Sequence, residues 1–301
     1  AIGIYRAANA LEKRAYIVIN EVSASLKPLY TAYENNPDYP ERLFLNSAEA
    51  LELADESSMV VVVDTNRPGM TECEELLHVA KTIVVLDHHR QSSDNIDNAL
   101  LSYIEPYASS ACEMVSEVLQ YIVDDIKIPN LEASSLYAGI MIDTNNFMNK
   151  TGVRTFEAAA FLRRSGADIT LVRKMFRDDM ESYRAKAQII SSAEVYHNKY
   201  AIARGENLTI ESPTIIGAQA ANELLDINEV KASFVLTTYN GRIYVSARSI
   251  DEVNVQIIME RLGGGGHMNA SGAQFDHTDM DEAVADLKQV IDDVIEGGEI
   301  E

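Results

Sequence analysis

Short runs of apolar residues alternate with helical patterns through about residue 165 of the chain. Five runs are rich in β-branched or aromatic residues and predict strands: YIVIN (16–20), RLFLN (42–46), MVVVVD (59–64), TIVVLD (82–87) and LLSYIE (100–105). Helical patterns lie near 26–34, 47–55, 72–80 and 110–124. Continuous Val/Ile runs separated by helices are typical of a parallel sheet with both faces covered. We therefore predict an α/β domain over residues 1–167.

The helix signals in this region are local and specific. Thr71 with Glu74, and Ser110 with Glu113, have the spacing of capping boxes, which predicts that helices begin at these points. Residues 168–193 are dense in charge and predict one long helix, with Asp168 as its N-cap. We interpret this helix as a linker between two domains.

The remainder of the chain, 194–301, has a different pattern. The stretch KASFVLTTYNGRIYVSARS (231–249) alternates around Asn240-Gly241, which predicts a β-hairpin with a type I′ turn. Helical patterns flank it at 213–226, 254–262 and 279–296. Antiparallel strands with flanking helices predict a smaller α+β domain.

Composition and charge limit the function. The 301 residues are 47% hydrophobic and carry a formal net charge of −22. A long nucleic-acid partner needs a basic surface, so this charge disfavours one. It also repels small phosphates unless cations or a few arginines reverse the local field. No apolar run reaches the roughly 18 residues that span a bilayer, and Cys73 and Cys112 form no CxxC pair.

Three apolar runs each end in an acid: Asp64, Asp87 and Asp143. In open parallel sheets, ligands bind beyond the carboxyl ends of the strands, so acids delivered there can share one site. His88 and His89 follow Asp87 directly and would point in different directions. Carboxylate oxygens and imidazole nitrogens without thiolates suit Mn²⁺ or Mg²⁺. The pattern therefore predicts a metal site, in which Asp87 orients an imidazole from outside the coordination shell.

The stretch RLGGGGHMNASGAQF (261–275) is the second candidate site. Its four consecutive glycines expose backbone N–H groups and can form an anion nest, although a flexible hinge would also use them. His267 follows the glycines, which favours a loop that faces a phosphate. Arg248, at the end of the predicted hairpin, could bind a phosphate with two hydrogen bonds.

Together these residues resemble a known family. Asp-Thr-Asn (64–66), Asp-His-His (87–89), Asp143 and GGGGHMNASG (263–272) resemble, in order, the motifs of DHH phosphoesterases with a DHH-associated C-terminal domain. The segments DTNRPGMTE, LDHHR, YIEPYASSACE and DTNNF are similar to the catalytic region of GdpP-type cyclic-di-AMP phosphodiesterases. The resemblance implies an active-site cleft between the parallel-sheet DHH domain and the smaller domain.

The resemblance also implies roles for single residues. Two Mn²⁺ ions are expected, with Mg²⁺ as the second choice; Asp64 would bridge them, His88 would bind one and Asp143 would complete the pair. Asp87 and His89 would be the catalytic residues, with His89 facing the substrate phosphate. The implied substrate-binding residues are Arg248, Gly264, Gly265, Gly266 and His267. A metal-activated water would attack phosphorus in line and open cyclic-di-AMP to linear 5′-pApA.

One family motif is not present in the chain. The family's first motif, His-x-x-x-Asp-x-Asp, supplies further ligands, and the segment 2–5 resembles the residues that follow it. We expect the motif upstream, because the first residues have helical periodicity without an initiating Met or an N-cap. GdpP-type proteins carry membrane helices and sensory domains upstream. The resemblance therefore places this region in the cytoplasm and the intact protein at the cytoplasmic face of the cell membrane.

Several alternatives stay open. An inorganic pyrophosphatase would need a basic second domain, but residues 196–301 hold 7 Lys+Arg against 18 Asp+Glu. A RecJ-like exonuclease would need a basic track. A hydrolase of short oligonucleotides fits almost as well as a cyclic-dinucleotide hydrolase, and a cyclic-dinucleotide sensor without catalysis is a further alternative. The sequence leaves a homodimer open.

Overall fold

All five runs predicted as strands form strands, within a first unit that spans Ala1–Arg177. The computed structural model describes residues 1–23, 26–91, 93–177, 179–250, 253–276 and 279–298. The strands of unit 1 are β1 (Ile17–Val18), β2 (Phe44–Leu45), β3 (Met59–Val63), β4 (Thr82–Asp87) and β5 (Leu101–Ile104). Its helices are α1 (Ile2–Ala10), α2 (Lys27–Glu34), α3 (Ser47–Leu53), α4 (Leu76–Val79), α5 (Ala111–Ile122), α6 (Asn130–Asp143), α7 (Val153–Arg164) and α8 (Ile169–Met175).

The strands of unit 1 pair in parallel, as predicted, but they form two sheets. β3, β4 and β5 make a three-stranded sheet with β4 in the centre, and β1 pairs with β2 alone. Only two residue pairs join β1 to β2, Ile17 with Phe44 and Val18 with Leu45. The α/β class and the parallel sheet are confirmed.

Both faces of the three-stranded sheet are covered by apolar side chains. The cluster on one face brings together β4, α5, α6 and α7 and includes Leu86, Val115, Leu119, Leu136, Ile140 and Leu162. The cluster on the other face includes Val62, Leu77, Ile83, Val85 and Ile96. Because β4 is covered on both sides, its sequence can remain apolar until Asp87, the last residue of the strand.

One of the two predicted capping boxes is wrong. The Thr71 hydroxyl donates to the Pro68 carbonyl at 2.7 Å and closes a short 3₁₀ helix, Pro68–Met70, instead of capping a helix that follows. The next helix, α4, begins only at Leu76. At the other position the N-cap is confirmed and the reciprocal bond of the box is not: the Ser110 hydroxyl accepts the Glu113 N–H at 3.0 Å, but the Glu113 carboxylate accepts the N–H of Ser109.

The predicted single linker helix is also wrong. Asp168 caps α8 as expected, accepting the N–H groups of Thr170 and Leu171, but α8 ends at Met175. A second helix, α9 (Met180–Ser191), begins after Asp179, whose carboxylate accepts two further backbone N–H groups. Aspartate is a weak helix-interior residue and a strong N-cap, so it starts a new helix here. Asp178, between the two helices, lies outside the described residues.

The second unit, Asp178–Glu301, is built on a mixed sheet. Its strands are β6 (Glu194–Tyr196), β7 (Tyr200–Gly205), β8 (Ala232–Tyr239), β9 (Arg242–Ser249), β10 (Gly265–His267) and β11 (Ala270–Phe275), in the order β10-β11-β9-β8-β7-β6. Besides α9, its helices are α10 (Pro213–Leu224), α11 (Val255–Arg261) and α12 (Met280–Glu296). β7 and β8 pair in parallel across α10, and the other neighbouring strands are antiparallel.

The predicted hairpin and the α+β character of unit 2 are confirmed. β8 and β9 are joined by Asn240 and Gly241, whose φ angles of 49° and 73° are those of a type I′ turn. One face of the sheet packs against α11 and α12, and the other packs against α9 and α10. None of the helices in the described ranges is long and apolar enough to span a bilayer.

Candidate metal centre and candidate substrate-binding face

The candidate metal centre of unit 1 lies at the carboxyl ends of β3 and β4. The two strands are parallel neighbours with Val63 opposite Leu86, so the residues that follow each strand lie side by side. The Asp64 N–H extends the ladder by donating to the Leu86 carbonyl at 3.0 Å. This parallel register brings Asp64 next to His88, as the sequence predicted.

Asp64 and His88 form a close pair. The Nε2 atom of His88 lies 3.3 Å from Oδ1 of Asp64, and the His88 side chain is 10% exposed against 57% for Asp64. The pKa of His88 is raised above its ordinary 6.5, first by the hydrogen bond to Asp64 and then by the charge of Asp143; the backbone carbonyl of Ala108, a further acceptor for the ring, adds to the shift. Asp64 has a φ of 69°, a left-handed conformation that is unfavourable for a residue with a Cβ.

Asp87 and His89 form a second pair. Asp87 is fully buried, and its Oδ1 lies 2.7 Å from Nδ1 of His89. Its Oδ2 accepts the Asn66 side-chain N–H at 2.6 Å. Asp87 therefore holds the His89 ring with Nδ1 as the donor, and Nε2 is left for another partner. The orienting role predicted for Asp87 applies, in this geometry, to His89.

Three of these side chains can share one cation. Asp64, His88 and His89 each offer a ligand atom, and the three atoms lie within 4.8 Å of one another. One carboxylate oxygen and two imidazole nitrogens fit a hard or borderline divalent cation such as Mn²⁺. A buried acceptor lies nearby: Asn66 Oδ1 has no hydrogen-bond partner among the described residues. An acceptor of this kind can bind a water that is carried with a cation.

Asp143 comes from a helix and not from a strand, which corrects the expectation that β-segments deliver all three acids. It is the last residue of α6, which lies among α1, α5, α7 and α8. Asp143 is not part of the cluster of Asp64, His88 and His89, but it lies close enough for their charges to affect its pKa. Partial desolvation raises its pKa above the ordinary 3.8, and the charge of Asp64 raises it further.

The glycine run of unit 2 is not the open loop that was predicted. Gly263 has a φ of 77°, and the Gly264 N–H donates to the Met259 carbonyl at 2.8 Å, so the first two glycines end α11. Gly265 and Gly266 begin β10, an edge strand of the sheet. An added Cβ would lie 2.1 Å from the Gly272 carbonyl at Gly264 and 2.6 Å from Ser271 at Gly266, whereas Gly265 has open space. Two of the glycines are therefore required by the close approach of β11.

Arg248 and His267 are brought together by strand register. Arg248 on β9 lies opposite Ala270 on β11, and Ala270 lies opposite His267 on β10. Residues in one row of a sheet project from the same face, so the guanidinium and the imidazole lie on one side. Arg248 is largely desolvated, which lowers its pKa, and no carboxylate among the described residues pairs with it. Within the described ranges its Nη1 donates to the Ala247 carbonyl, at 2.8 Å.

The same face of β9 and β11 bears a shallow cavity of about 350 Å³. Tyr244 and Ser246 alternate with Arg248 along β9, and Gly272 and Gln274 lie opposite them on β11. The residues that line the cavity are Tyr244, Ser246, Gly272 and Gln274 together with Thr214, Val245, Gly263, Gly264 and Ala273. A desolvated arginine beside a cavity with hydroxyl and amide groups is typical of a site for an anionic organic ligand.

Several residues of these sites were not expected from the sequence. Asn66 was visible within the Asp-Thr-Asn motif but was assigned no role. The Ala108 carbonyl has no side-chain signal, since any residue supplies one. Tyr244 and Ser246 could have been found from their alternation with Arg248 on the predicted strand.

Comparisons with known proteins show the family to which the chain is similar. Residues 1–140 match the family model "DHH family, N-terminal domain", and residues 207–296 match "DHHA1 domain". The chain is 40% identical over 301 residues to the cyclic-di-AMP phosphodiesterase GdpP of Geobacillus thermodenitrificans, covering 99% of the chain and 45% of that protein. It is 39% identical over 295 residues to the cyclic-di-AMP phosphodiesterase PdeA of Listeria monocytogenes, covering 97% of the chain and 45% of that protein.

More distant relatives and a solved structure extend the comparison. The chain is 31% identical over 227 residues to the bifunctional oligoribonuclease and PAP phosphatase NrnA of Mycoplasma genitalium, covering 72% of the chain and 68% of that protein. An exopolyphosphatase-related protein from Bacteroides fragilis superposes with a TM-score of 0.80 at 22% identity, covering 97% of the chain and 87% of that structure. The chain spans less than half the length of the cyclic-di-AMP phosphodiesterases that it matches.

Proposed function

The chain belongs to the DHH family, and from this premise we propose that it is the catalytic region of a metal-dependent phosphodiesterase that hydrolyses cyclic-di-AMP to 5′-pApA. The proposal is carried by one observation, the cluster of Asp64, His88 and His89 at the ends of two parallel strands. The names of the relatives that match nearly the whole chain support the choice of substrate.

The proposed roles follow from the geometry of unit 1. Asp64 and His88 hold a divalent cation, Mn²⁺ before Mg²⁺, through Oδ1 and Nε2. When bound, divalent cations promote the deprotonation of water and offset the negative charge that develops at phosphorus. Asp143 supplies a further carboxylate for the second ion that the family resemblance implies. His88 must give up its proton first, because only the neutral ring has a lone pair at Nε2.

His89 acts on the substrate in this proposal. Asp87 fixes Nδ1 of His89, so Nε2 is free to face the substrate, and from there the protonated ring can donate a hydrogen bond or a proton. In the reaction, a water gives up one proton to the solvent, its oxygen forms a bond to phosphorus, and the bond from phosphorus to the 3′ oxygen breaks. The 3′ oxygen leaves with a proton, for which His89 Nε2 is the proposed donor. The products are a 5′-phosphate and a 3′-hydroxyl, the ends of 5′-pApA.

Unit 2 supplies the proposed substrate contacts. The desolvated guanidinium of Arg248 binds a phosphate through parallel N–H groups, and His267 in the same row adds a donor. The N–H groups at Gly264, Gly265 and Gly266 are further candidates, because β10 is an edge strand. The cavity beside Tyr244 and Ser246 has room for a nucleobase. The predicted cleft, homodimer and membrane anchoring of the intact protein stay predictions.

A second candidate function is hydrolysis of short oligonucleotides, favoured by the 31% identity to NrnA over 72% of the chain. The deciding experiment compares kcat/KM for cyclic-di-AMP, 5′-pApA and RNA dinucleotides under a Mn²⁺ titration. It is run on this chain and on a longer form that includes any residues preceding it in its natural protein. A preference for cyclic-di-AMP supports the first function, and a preference for linear substrates supports the second. Tight binding of cyclic-di-AMP without turnover in both forms would instead identify a sensor.

A further inference from the structure

A buried carboxylate lies behind the candidate metal centre. Glu113, in the first turn of α5, is 1% exposed. Its Oε2 accepts the Ser109 hydroxyl at 2.5 Å, the Ser109 N–H at 3.3 Å and the Thr155 hydroxyl at 2.6 Å. A buried carboxylate is costly unless it is well hydrogen-bonded, and here one oxygen joins two segments that are distant in sequence.

The first segment leads from β5 to α5 and supports His88. The Glu105 N–H donates to the Asp87 carbonyl at 2.9 Å, which ties the start of the segment to β4. Ala108, whose carbonyl is an acceptor for the His88 ring, is 3% exposed, and Ser109 is 1% exposed. Because Ala108 and Ser109 are adjacent, the hold of Glu113 on Ser109 also fixes the position of the Ala108 carbonyl.

The second segment follows Asp143 and contains strained backbone. Asn145, Asn146 and Phe147 have φ angles of 46°, 58° and 65°, three consecutive left-handed residues other than glycine. A conformation of this kind persists only where the surroundings enforce it. At its start, Thr144 holds the segment: its hydroxyl accepts the Phe147 N–H at 3.0 Å, and its carbonyl accepts the Asn149 N–H at 2.8 Å.

The end of the second segment is held through Glu113. The Thr155 hydroxyl, which donates to Glu113, accepts the Gly152 N–H at 3.0 Å, where α7 begins. The neighbouring Arg154 strengthens the same junction, because its Nε and Nη2 each lie 2.7 Å from an oxygen of Glu117 on α5. The strained segment is thus fastened near Asp143 at one end and at the Glu113 carboxylate at the other.

We propose that Glu113 is a positioning residue of the metal centre: through Ser109 it fixes the acceptor of the His88 ring, and through Thr155 it fixes the segment that follows Asp143. This inference rests on the proposed function, since it assumes that His88 and Asp143 are used to hold cations. Glu113 touches neither substrate nor cation. It keeps His88, which follows a strand, and Asp143, which ends a helix, in fixed positions before any cation binds.

The chain offers a matched control in Glu132. This carboxylate is 0% exposed and also lies in a first helical turn, at the start of the helix that ends in Asp143. It accepts Nε of Arg6 at 2.7 Å and Nη2 at 2.5 Å, and among the described residues no hydrogen bond joins it to either segment held by Glu113. Glu132→Gln therefore disturbs a buried carboxylate of unit 1 without altering the supports of the metal centre.

The test measures two properties of the purified chain that do not require turnover. The tautomer of His88 is read from ¹⁵N NMR of the metal-free protein, and the affinity for Mn²⁺ is measured by isothermal titration. We expect Glu113→Ala to weaken Mn²⁺ binding about 10- to 100-fold and to shift the neutral His88 ring towards the Nε2–H tautomer, because Asp64 then remains its main acceptor. Thr155→Val removes one hydroxyl and is expected to weaken binding several-fold, about 3 to 10 times. Glu113→Gln keeps an acceptor oxygen and is expected to restore most of the affinity.

The Glu132→Gln control distinguishes an effect on the position of the metal ligands from an effect on the stability of the fold. Glu132→Gln is expected to lower the melting temperature and to leave the His88 tautomer and the Mn²⁺ affinity as in the unaltered chain. The proposal is overturned if soluble Glu113→Ala and Thr155→Val variants lose stability as Glu132→Gln does while the His88 tautomer and the Mn²⁺ affinity stay unchanged. If Glu113→Ala does not fold, Thr155→Val decides by itself. If the unaltered chain binds no Mn²⁺, the proposed function fails, and the tautomer of the metal-free protein still tests the role of Glu113.

Discussion

Arg248 and His267 lie in one row of the unit 2 sheet, each opposite Ala270 on the strand between them. Neighbouring strands are about 4.8 Å apart, so the two residues are about 10 Å apart across the row. Two donors at this spacing can contact one phosphate and the sugar attached to it. Because they share this row, two residues that are distant in sequence form a single candidate binding surface.

Replacing Arg248 is expected to affect substrate capture more than chemistry. Arg248→Ala should raise KM for cyclic-di-AMP about 10- to 100-fold with little change in kcat, because a charge-assisted bidentate contact contributes about 1.5–3 kcal/mol. Steady-state kinetics measure the changes in KM and kcat separately. Arg242→Ala is the control, since Arg242 is exposed at the other end of β9. An unchanged KM in the Arg248 variant would remove this residue from the binding surface.

Replacing Asp64 or His88 is expected to weaken cation binding. Asp64→Ala and His88→Ala should each weaken Mn²⁺ binding more than about 10-fold and lower turnover by about 100-fold or more, because each removes a proposed ligand. Titration calorimetry and the cyclic-di-AMP assay measure both effects. Glu56→Ala, an exposed acid that precedes β3, is the control. Full turnover in either site variant would refute the assignment.

The affinity for Mn²⁺ is expected to increase with pH. The pKa of His88 is raised above 6.5, chiefly by its hydrogen bond to Asp64, and a cation must displace that proton. The affinity should therefore rise through the neutral range and level off above the raised pKa. The raised pKa of Asp143 weakens binding further at acidic pH, because its carboxyl group stays protonated above the usual 3.8.

The stability of the metal-free chain is expected to change in the opposite direction. A folded-state pKa above the unfolded value means that the protonated His88–Asp64 pair stabilises the fold below about pH 6.5. That contribution is lost as pH rises through the raised pKa. Melting temperatures and Mn²⁺ dissociation constants, both measured from about pH 5.5 to 8.5, test whether stability falls and Mn²⁺ affinity rises with pH. Equal dissociation constants at both ends of this range would contradict the role of His88.

The glycine run offers a matched pair of substitutions. Gly264→Ala is expected to destabilise unit 2 by about 1–3 kcal/mol, because its Cβ would lie 2.1 Å from the Gly272 carbonyl. Gly265→Ala meets no atom within 4 Å and should change stability by less than about 0.5 kcal/mol. Chemical denaturation measures both. Similar losses in the two variants would mean that β10 does not pair with β11 in this register.

Features encoded by local pattern could be predicted from the sequence. The five strands of unit 1 follow from β-branched runs, and the hairpin follows from Asn240-Gly241. The placement of Asp64 beside His88 follows from the rule that parallel strands present their carboxyl ends at one edge. These signals lie within a few residues of the feature that they predict.

Features that depend on distant neighbours could not be predicted. The run before Asp143 is apolar on every side, and such a run does not distinguish a buried helix from a buried strand. Close packing explains the helix: a Cβ at Gly139 would lie 2.3 Å from Sγ of Cys112. Likewise, the spacing of Ser110 and Glu113 identified the N-cap, but Thr155, which Glu113 binds, lies 42 residues farther along the chain.

The left-handed backbone at Asp64 sets the thermal stability of the fold against the proposed cation binding. For most side chains a φ of 69° costs about 1–2 kcal/mol, a cost that aspartate and asparagine reduce and that glycine avoids. Laboratory evolution under heat alone, without selection for turnover, is therefore expected to replace this aspartate early. Variants recovered in that way would be more stable to heat and would lack a proposed cation ligand.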